Sequence, residues 1–228
     1  MIASSFMYQT FKRLLVIIPF AVAMASIPVQ GFASLDVISP SRELSRHEMP
    51  LNDRYPEPTV NQVFADNILL NLHYLAGSVK NASEIDWEKI RRPFTYEMVL
   101  QPGDVFAYHD SVLPQYQRKI VQTTNSHFNA QDGYLSSGYL YGDGVCHLAS
   151  LINWAARDAG LSVTAPVNHD FRDIPDVPRE YGTAIYYMPG DPAISQQQNL
   201  YVENTKSVPV AIVFESDGNK VTITVEEK

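Results

Sequence analysis

At 228 residues, with 45% hydrophobic and 18% charged positions, the chain suits one globular domain plus appendages. Its formal net charge of −8, about −10 without Met1–Ala33, argues against the phosphate-neutralising surface that sequence-independent nucleic-acid binding needs. A single cysteine, Cys146, excludes an intrachain disulfide, so stability must rest on the core.

Lys12 and Arg13 precede an apolar run, Leu14–Val29, and Gly31-Phe32-Ala33 supplies small residues after it. Residues 1–33 are therefore expected to be an export signal cleaved near Ala33, with an uncleaved N-terminal membrane anchor as the alternative. Residues 34–59 read as a flexible linker: Pro40, Pro50, Pro56 and Pro58 sit among polar residues with no sustained period. The folded domain is expected over 60–228. Its first element is an amphipathic helix over Asn61–Lys80, in which Phe64, Ile68, Leu72, Leu75 and Val79 form one stripe. His73 beside it reads as structural. A short helix over Ser83–Arg92, capped by Ser83, ends at Pro93. Phe94–Tyr108 reads as strand, Pro-Gly turn, strand. Leu113–Ala130 carries no assignable pattern. A second helix starts near Val145 and ends at Gly160, with Leu148, Ala149, Ile152, Ala155 and Ala156 on its apolar face. Thr183–Tyr187, Leu200–Val202, Val208–Phe214 and Lys220–Val225 read as strands, the last two joined by a hairpin turn at Ser216–Asn219. The expected class is α+β: an antiparallel sheet packed against a central helix that carries the cysteine at its N-terminus, plus the N-terminal amphipathic helix.

The chemistry-bearing stretch is Asp132–Ser150. Gly138, Gly142 and Gly144 lead into Cys146, which falls in the first turn of the second helix. Free N–H groups and the helix dipole there favour a thiolate, and backbone donors at Gly142, Gly144 and Val145 are oxyanion candidates. The competing reading is a small buried cysteine without reactivity. A nucleophile needs a base. His147 is adjacent, but consecutive helical side chains point about 100° apart, so His169 is the better candidate. For the group that orients the imidazole, Asp170, Asp173, Glu180 and Asn199 are open, with Glu180 or Asn199 preferred. Cys146, His147 and His169 plus a remote residue are the rival zinc set, but no CxxC, HExxH or HxxxH spacing accompanies them.

Several segments together resemble the VanW family: Leu100–Phe106, Gly142–Ser150 with Ala159-Gly160-Leu161, His169, Val177-Pro178, and Asn199–Thr205 with Pro209-Val210. The resemblance covers core motifs over 94–225 and is silent over the first 60 residues. There are departures from the family pattern: His147 stands where glutamine is usual, Gly182 where an aspartate falls, and Asn199 where a strand often begins with aspartate. If the missing aspartate orients the histidine, Glu180 or Asn199 must substitute.

The family is associated with bacterial cell walls, and some members are implicated as cysteine L,D-transpeptidases. The resemblance thus implies a cell-envelope protein acting on peptidoglycan stem peptides, with Cys146 attacking the carbonyl of the third stem residue and His169 moving the proton. Tyr134, Tyr139, Tyr141 and His147 would then contact substrate, although the tyrosines are equally suited to packing the loop. No cofactor or metal is expected on this reading. The alternatives are a non-catalytic peptidoglycan-binding or glycopeptide-resistance accessory module, and a metal-dependent wall hydrolase.

Overall fold

The computed structural model describes residues 41–138 and 141–228. The expected export segment lies outside these residues. Among the described residues no helix is long and apolar enough to cross a membrane.

The element order is β1 (Arg42–Pro50), α1 (Pro58–Leu75), α2 (Trp87–Ile90), β2 (Phe94–Leu100), β3 (Val105–Ala107), β4 (Ile120–Gln122), α3 (Val145–Asp158), β5 (Ser162–Thr164), α4 (Pro192–Ser195), β6 (Tyr201–Glu203), β7 (Val210–Ser216) and β8 (Lys220–Glu227). The strands make two four-stranded sheets. The larger runs β1-β8-β7-β2 and is antiparallel throughout; the smaller runs β4-β3-β6-β5, with β3 and β4 parallel. The α+β class stands, with two sheets in place of one.

The larger sheet is held by apolar burial. Val210, Ile212, Phe214, Val221, Ile223 and Val225 are fully buried, and α3 packs across β1 and β8. Ala149, Ala155 and Ala156 are fully buried on α3, where small side chains let the helix axis approach the sheet closely. The β7–β8 hairpin closes at Asp217, whose carboxylate accepts from the N–H groups of Asn219 (2.8 Å) and Lys220 (2.9 Å). This arrangement is an Asx-type turn.

Three local expectations change. Part of the supposed linker, Arg42–Pro50, is the edge strand β1, paired along its length with β8. Its sequence lacks apolar alternation because polar side chains fasten it. The Ser45 hydroxyl donates to Ala155 O (2.7 Å), and His47 stacks on Trp154 and bonds Asp158 (2.7 Å). Thr183–Tyr187 is extended but is not a strand. Thr183 N–H donates to the Ser150 hydroxyl and Ile185 N–H to the Cys146 sulfur, while Ala184 N–H donates to Val167 O and Tyr186 N–H to Gln198 O (3.0 Å each), so its donors are split between α3 side chains and loop carbonyls. The strand, Pro-Gly turn and strand over Phe94–Tyr108 are as expected, and the turn joins β2 of one sheet to β3 of the other. Finally, Asp86 rather than Ser83 caps α2, its carboxylate accepting from the Glu88 and Lys89 N–H groups.

The helix α1 is two-sided at its start but buried on every side from Ala65 to Leu75. Several of its polar groups there have partners, although Asn71 Oδ1 and His73 Nε2 have none among the described residues. Asn67 donates to Leu135 O and Asp143 O (3.0 Å each) and accepts from Leu135 N–H (2.8 Å). These bonds pin the loop that leads into α3.

Candidate functional site

Connections between the regular elements enclose a cleft of about 1040 Å³. No strand contributes to its wall; regular structure supplies only Phe64 of α1 and Val145, Cys146 and His147 at the start of α3. The rest comes from 52–56, 127–144 and 169–189.

Gly144 caps α3 at φ 95°, a left-handed conformation that L side chains rarely adopt. A Cβ there would lie 2.6 Å from Phe64 O, and one on Gly142 (φ 78°) would lie 2.8 Å from Phe128 O. The two glycines thus let the loop approach the protein's own backbone. Val145 N–H is occupied by Gly142 O (3.1 Å) and Gly142 N–H by Leu135 O (3.3 Å). The oxyanion donors expected at Gly142, Gly144 and Val145 are therefore not a preformed set.

Cys146 lines the cleft, with its sulfur held against Ile185. The thiol donates to Ile185 O (3.6 Å), and Ile185 N–H donates to the sulfur (3.4 Å). Burial pushes the thiol up to about 11, opposed in part by the Ile185 contact. Desolvation thus opposes the lowering expected from the helix dipole and favours the thiol form.

His169 is buried and lines the same cleft. Its Nδ1 donates to Arg172 O (3.0 Å), because a carbonyl can only accept. Nε2 therefore carries the lone pair. Burial lowers the imidazole below its ordinary value, so the ring is neutral. No hydrogen bond joins His169 to Cys146 among the described residues. His147, edge-on to His169 at 6.4 Å between ring centres, is held down to about 3 by burial and then by the Arg54 charge. Its Nδ1 is buried without a partner.

The preferred orienting residues are elsewhere. Glu180 is exposed on a turn outside the cleft wall. Asn199 is buried beside a different histidine: it accepts from His109 N–H (3.1 Å) and donates to His109 O and Ser111 O (3.0 Å each). A backbone carbonyl, that of Arg172, takes the orienting role. Among the tyrosines, Tyr141 is 56% exposed and lines the cleft. Tyr134 is core, its hydroxyl bonded to Ser126 (2.9 Å). Tyr139 lies outside the described residues. Among those residues, no group of three or more His, Cys, Asp or Glu is placed to hold a metal ion.

Several cleft residues carried no sequence signal. The Arg54 side chain is fully buried between Asp53 and Asp176 and donates to Pro175 O (2.9 Å). Arg172 lies 4.4 Å over the Tyr55 ring. Also lining the cleft, His127 stacks on Tyr187 at 3.9 Å and donates from Nε2 to the Asp110 carboxylate (3.3 Å). Each depends on residues distant in the chain, which no local spacing reveals.

No curated protein and no solved structure matches the chain. Residues 95–226 match the family described as VanW like protein, and that span runs from β2 to β8 and includes α3 with Cys146. With more than half of the 228 residues inside the match, the chain belongs to the VanW-like family, which ties it to the bacterial cell wall.

Proposed function

We propose that the protein acts on peptidoglycan stem peptides by cysteine acyl transfer of the L,D-transpeptidase kind. The observation that carries this reading is the shared cleft. Cys146 in the first turn of α3 and His169, with its Nδ1 proton held by Arg172 O, wall one cavity of peptide size.

Both partners are neutral at rest, so the thiol proton leaves as the sulfur attacks rather than before. Cys146 turns out of its contact with Ile185. The sulfur bonds to the carbonyl carbon of the third stem residue while His169 Nε2 takes the thiol proton. The C–N bond to the terminal D-alanine then breaks, and the imidazolium returns the proton to the departing amine. An amine of a neighbouring stem, or water, attacks the thioester with His169 again as base, and the sulfur leaves and is reprotonated. The Ile185 N–H, already within 3.4 Å of the sulfur, becomes free to hold the oxyanion. Leu14–Val29 directs the chain out of the cytoplasm, with cleavage near Ala33 or retention as an anchor. The mass of the mature N-terminus separates those two.

A second reading, a non-catalytic stem-peptide binding module, is favoured by the thiol at about 11 and its contact with Ile185. Incubation with defined muropeptides followed by mass spectrometry divides the two. Acyl transfer predicts loss of D-alanine and a thioester adduct on Cys146, both absent in Cys146→Ala. Unchanged turnover in that variant removes the nucleophile, and binding without product leaves the module.

A further inference from the structure

We infer that Arg172 reads a free carboxylate on the peptide bound in this cleft, which makes it a specificity-determining residue. The inference rests on the stem-peptide reading above and goes beyond it by naming the group recognised.

Five charged side chains other than histidine line the cleft, and four already have partners. Arg54 is matched by Asp53 and Asp176. Asp143 accepts from the Ser137 N–H (3.1 Å) and hydroxyl (2.7 Å), and Asp173 pairs with Arg179 (3.2 Å). The Arg172 guanidinium meets no acid and no carbonyl among the described residues; it lies over the Tyr55 ring. That ring fixes the guanidinium by cation–π attraction and leaves its N–H edges unused. Two parallel N–H groups on a fixed plane match the two oxygens of a carboxylate, a fit that a lysine ammonium does not reproduce.

Three aspartates and two arginines line the cleft, and every aspartate already has a partner, so among the described residues the Arg172 charge is the uncompensated one. Here Arg54 and Arg172 both lie close enough to His147 for their charges to act on it. Arg172 also supplies the carbonyl that braces His169. One residue thus anchors a ligand carboxylate with its side chain and the base with its backbone, which sets the distance between them.

The test uses the full chain carrying Cys146→Ala, so that no ligand turns over, with and without Arg172→Gln. The carbonyl that braces His169 is backbone and survives this change. Calorimetric titration compares three synthetic stem tetrapeptides: all carboxylates free, the C-terminus amidated, and the side-chain carboxylates amidated. Arg172→Gln is expected to weaken the fully free peptide roughly 10- to 100-fold. It should leave unchanged the binding of whichever peptide lacks the recognised carboxylate, and that peptide identifies the source as terminal or side-chain. Arg172→Lys should recover only part of the loss, with steeper salt dependence. Equal affinity of the Arg172 protein for all three peptides overturns the inference. So does an equal fractional loss across them in Arg172→Gln. Discrimination without thioester formation in the Cys146 protein sinks acyl transfer and keeps Arg172 as the reader. Thioester formation without discrimination does the reverse, and no binding of any peptide ends both.

Discussion

The sheet β1-β8-β7-β2 and the cleft are built on different principles. The sheet's strands run seven to nine residues, and its central pair is fixed by fully buried apolar side chains. The cleft takes no residue from any strand. Its walls are connections held by side-chain-to-backbone bonds such as those of Asn67 and Arg54, and by glycines that admit the close passage of Phe64 and Phe128. Burial fixes the sheet as a cooperative unit, whereas each loop bond fixes one point. The sheet should therefore answer to changes in apolar volume, and the cleft to changes in single polar atoms.

The largest expected effect lies in the sheet. Phe214 is fully buried on β7 and packs near Tyr96. Phe214→Ala should lower the unfolding free energy by about 3–5 kcal/mol, read by urea titration. Muropeptide affinity per folded molecule should not move. A matching loss of affinity would show that the cleft is an extension of the sheet after all.

An intermediate effect belongs to His147, at the cleft floor. Burial holds its folded-state value at about 3, below the ordinary imidazole near 6.5. A lowered folded value stabilises fully above 6.5, and that contribution drains away as pH falls toward 3. His147→Gln has nothing to titrate. At pH 5 the native protein should have lost about 2 kcal/mol more than this variant, relative to pH 7.5. His109, held at about 4 by burial, and His169, lowered in the same direction, remain in both proteins and cancel. Parallel stability curves would mean that protonated His147 reaches water through the cleft without unfolding anything.

What was legible in the chain follows the same division. β7, β8 and their Asp217-Gly218 turn carry alternation and turn chemistry long enough to read, and so does the junction of a glycine-rich loop with the apolar face of α3. β4 and β5 are three residues each, shorter than any period. β1 has a single fully buried side chain, Met49, so its pairing leaves little apolar trace. Thr183–Tyr187 has strand-like composition, but its backbone donors are divided between the Ser150 and Cys146 side chains and the carbonyls of Val167 and Gln198. Within the site, Cys146 and His169 could be named because their types are rare and chemically distinctive. The brace on His169 could not, because a carbonyl has no residue identity, whereas Glu180 and Asn199 stand out only as side chains. The thiol's surroundings are legible only in part for a related reason: a helix N-terminus is visible in sequence, and desolvation is not.

Asn67 gives the smallest change in overall stability and the sharpest contrast between the two regions. It is fully buried on α1, and its amide reaches Leu135 and Asp143 on the loop before Cys146. Those two loop residues are only partly buried, so water can replace much of what Asn67→Ala removes. The expected cost is about 1 kcal/mol, at the low end for truncating a buried hydrogen-bonding group. Hydrogen exchange should locate it. The Leu135 amide, deprived of its acceptor, should exchange faster, while amides in the β7–β8 ladder keep their protection. Muropeptide affinity should fall several-fold, whereas Phe214→Ala leaves it unmoved, although the stability change is smaller. If the β7–β8 amides lost protection in step with Leu135, loop and sheet would open together, and the cleft would have no local stability of its own for a ligand to draw on.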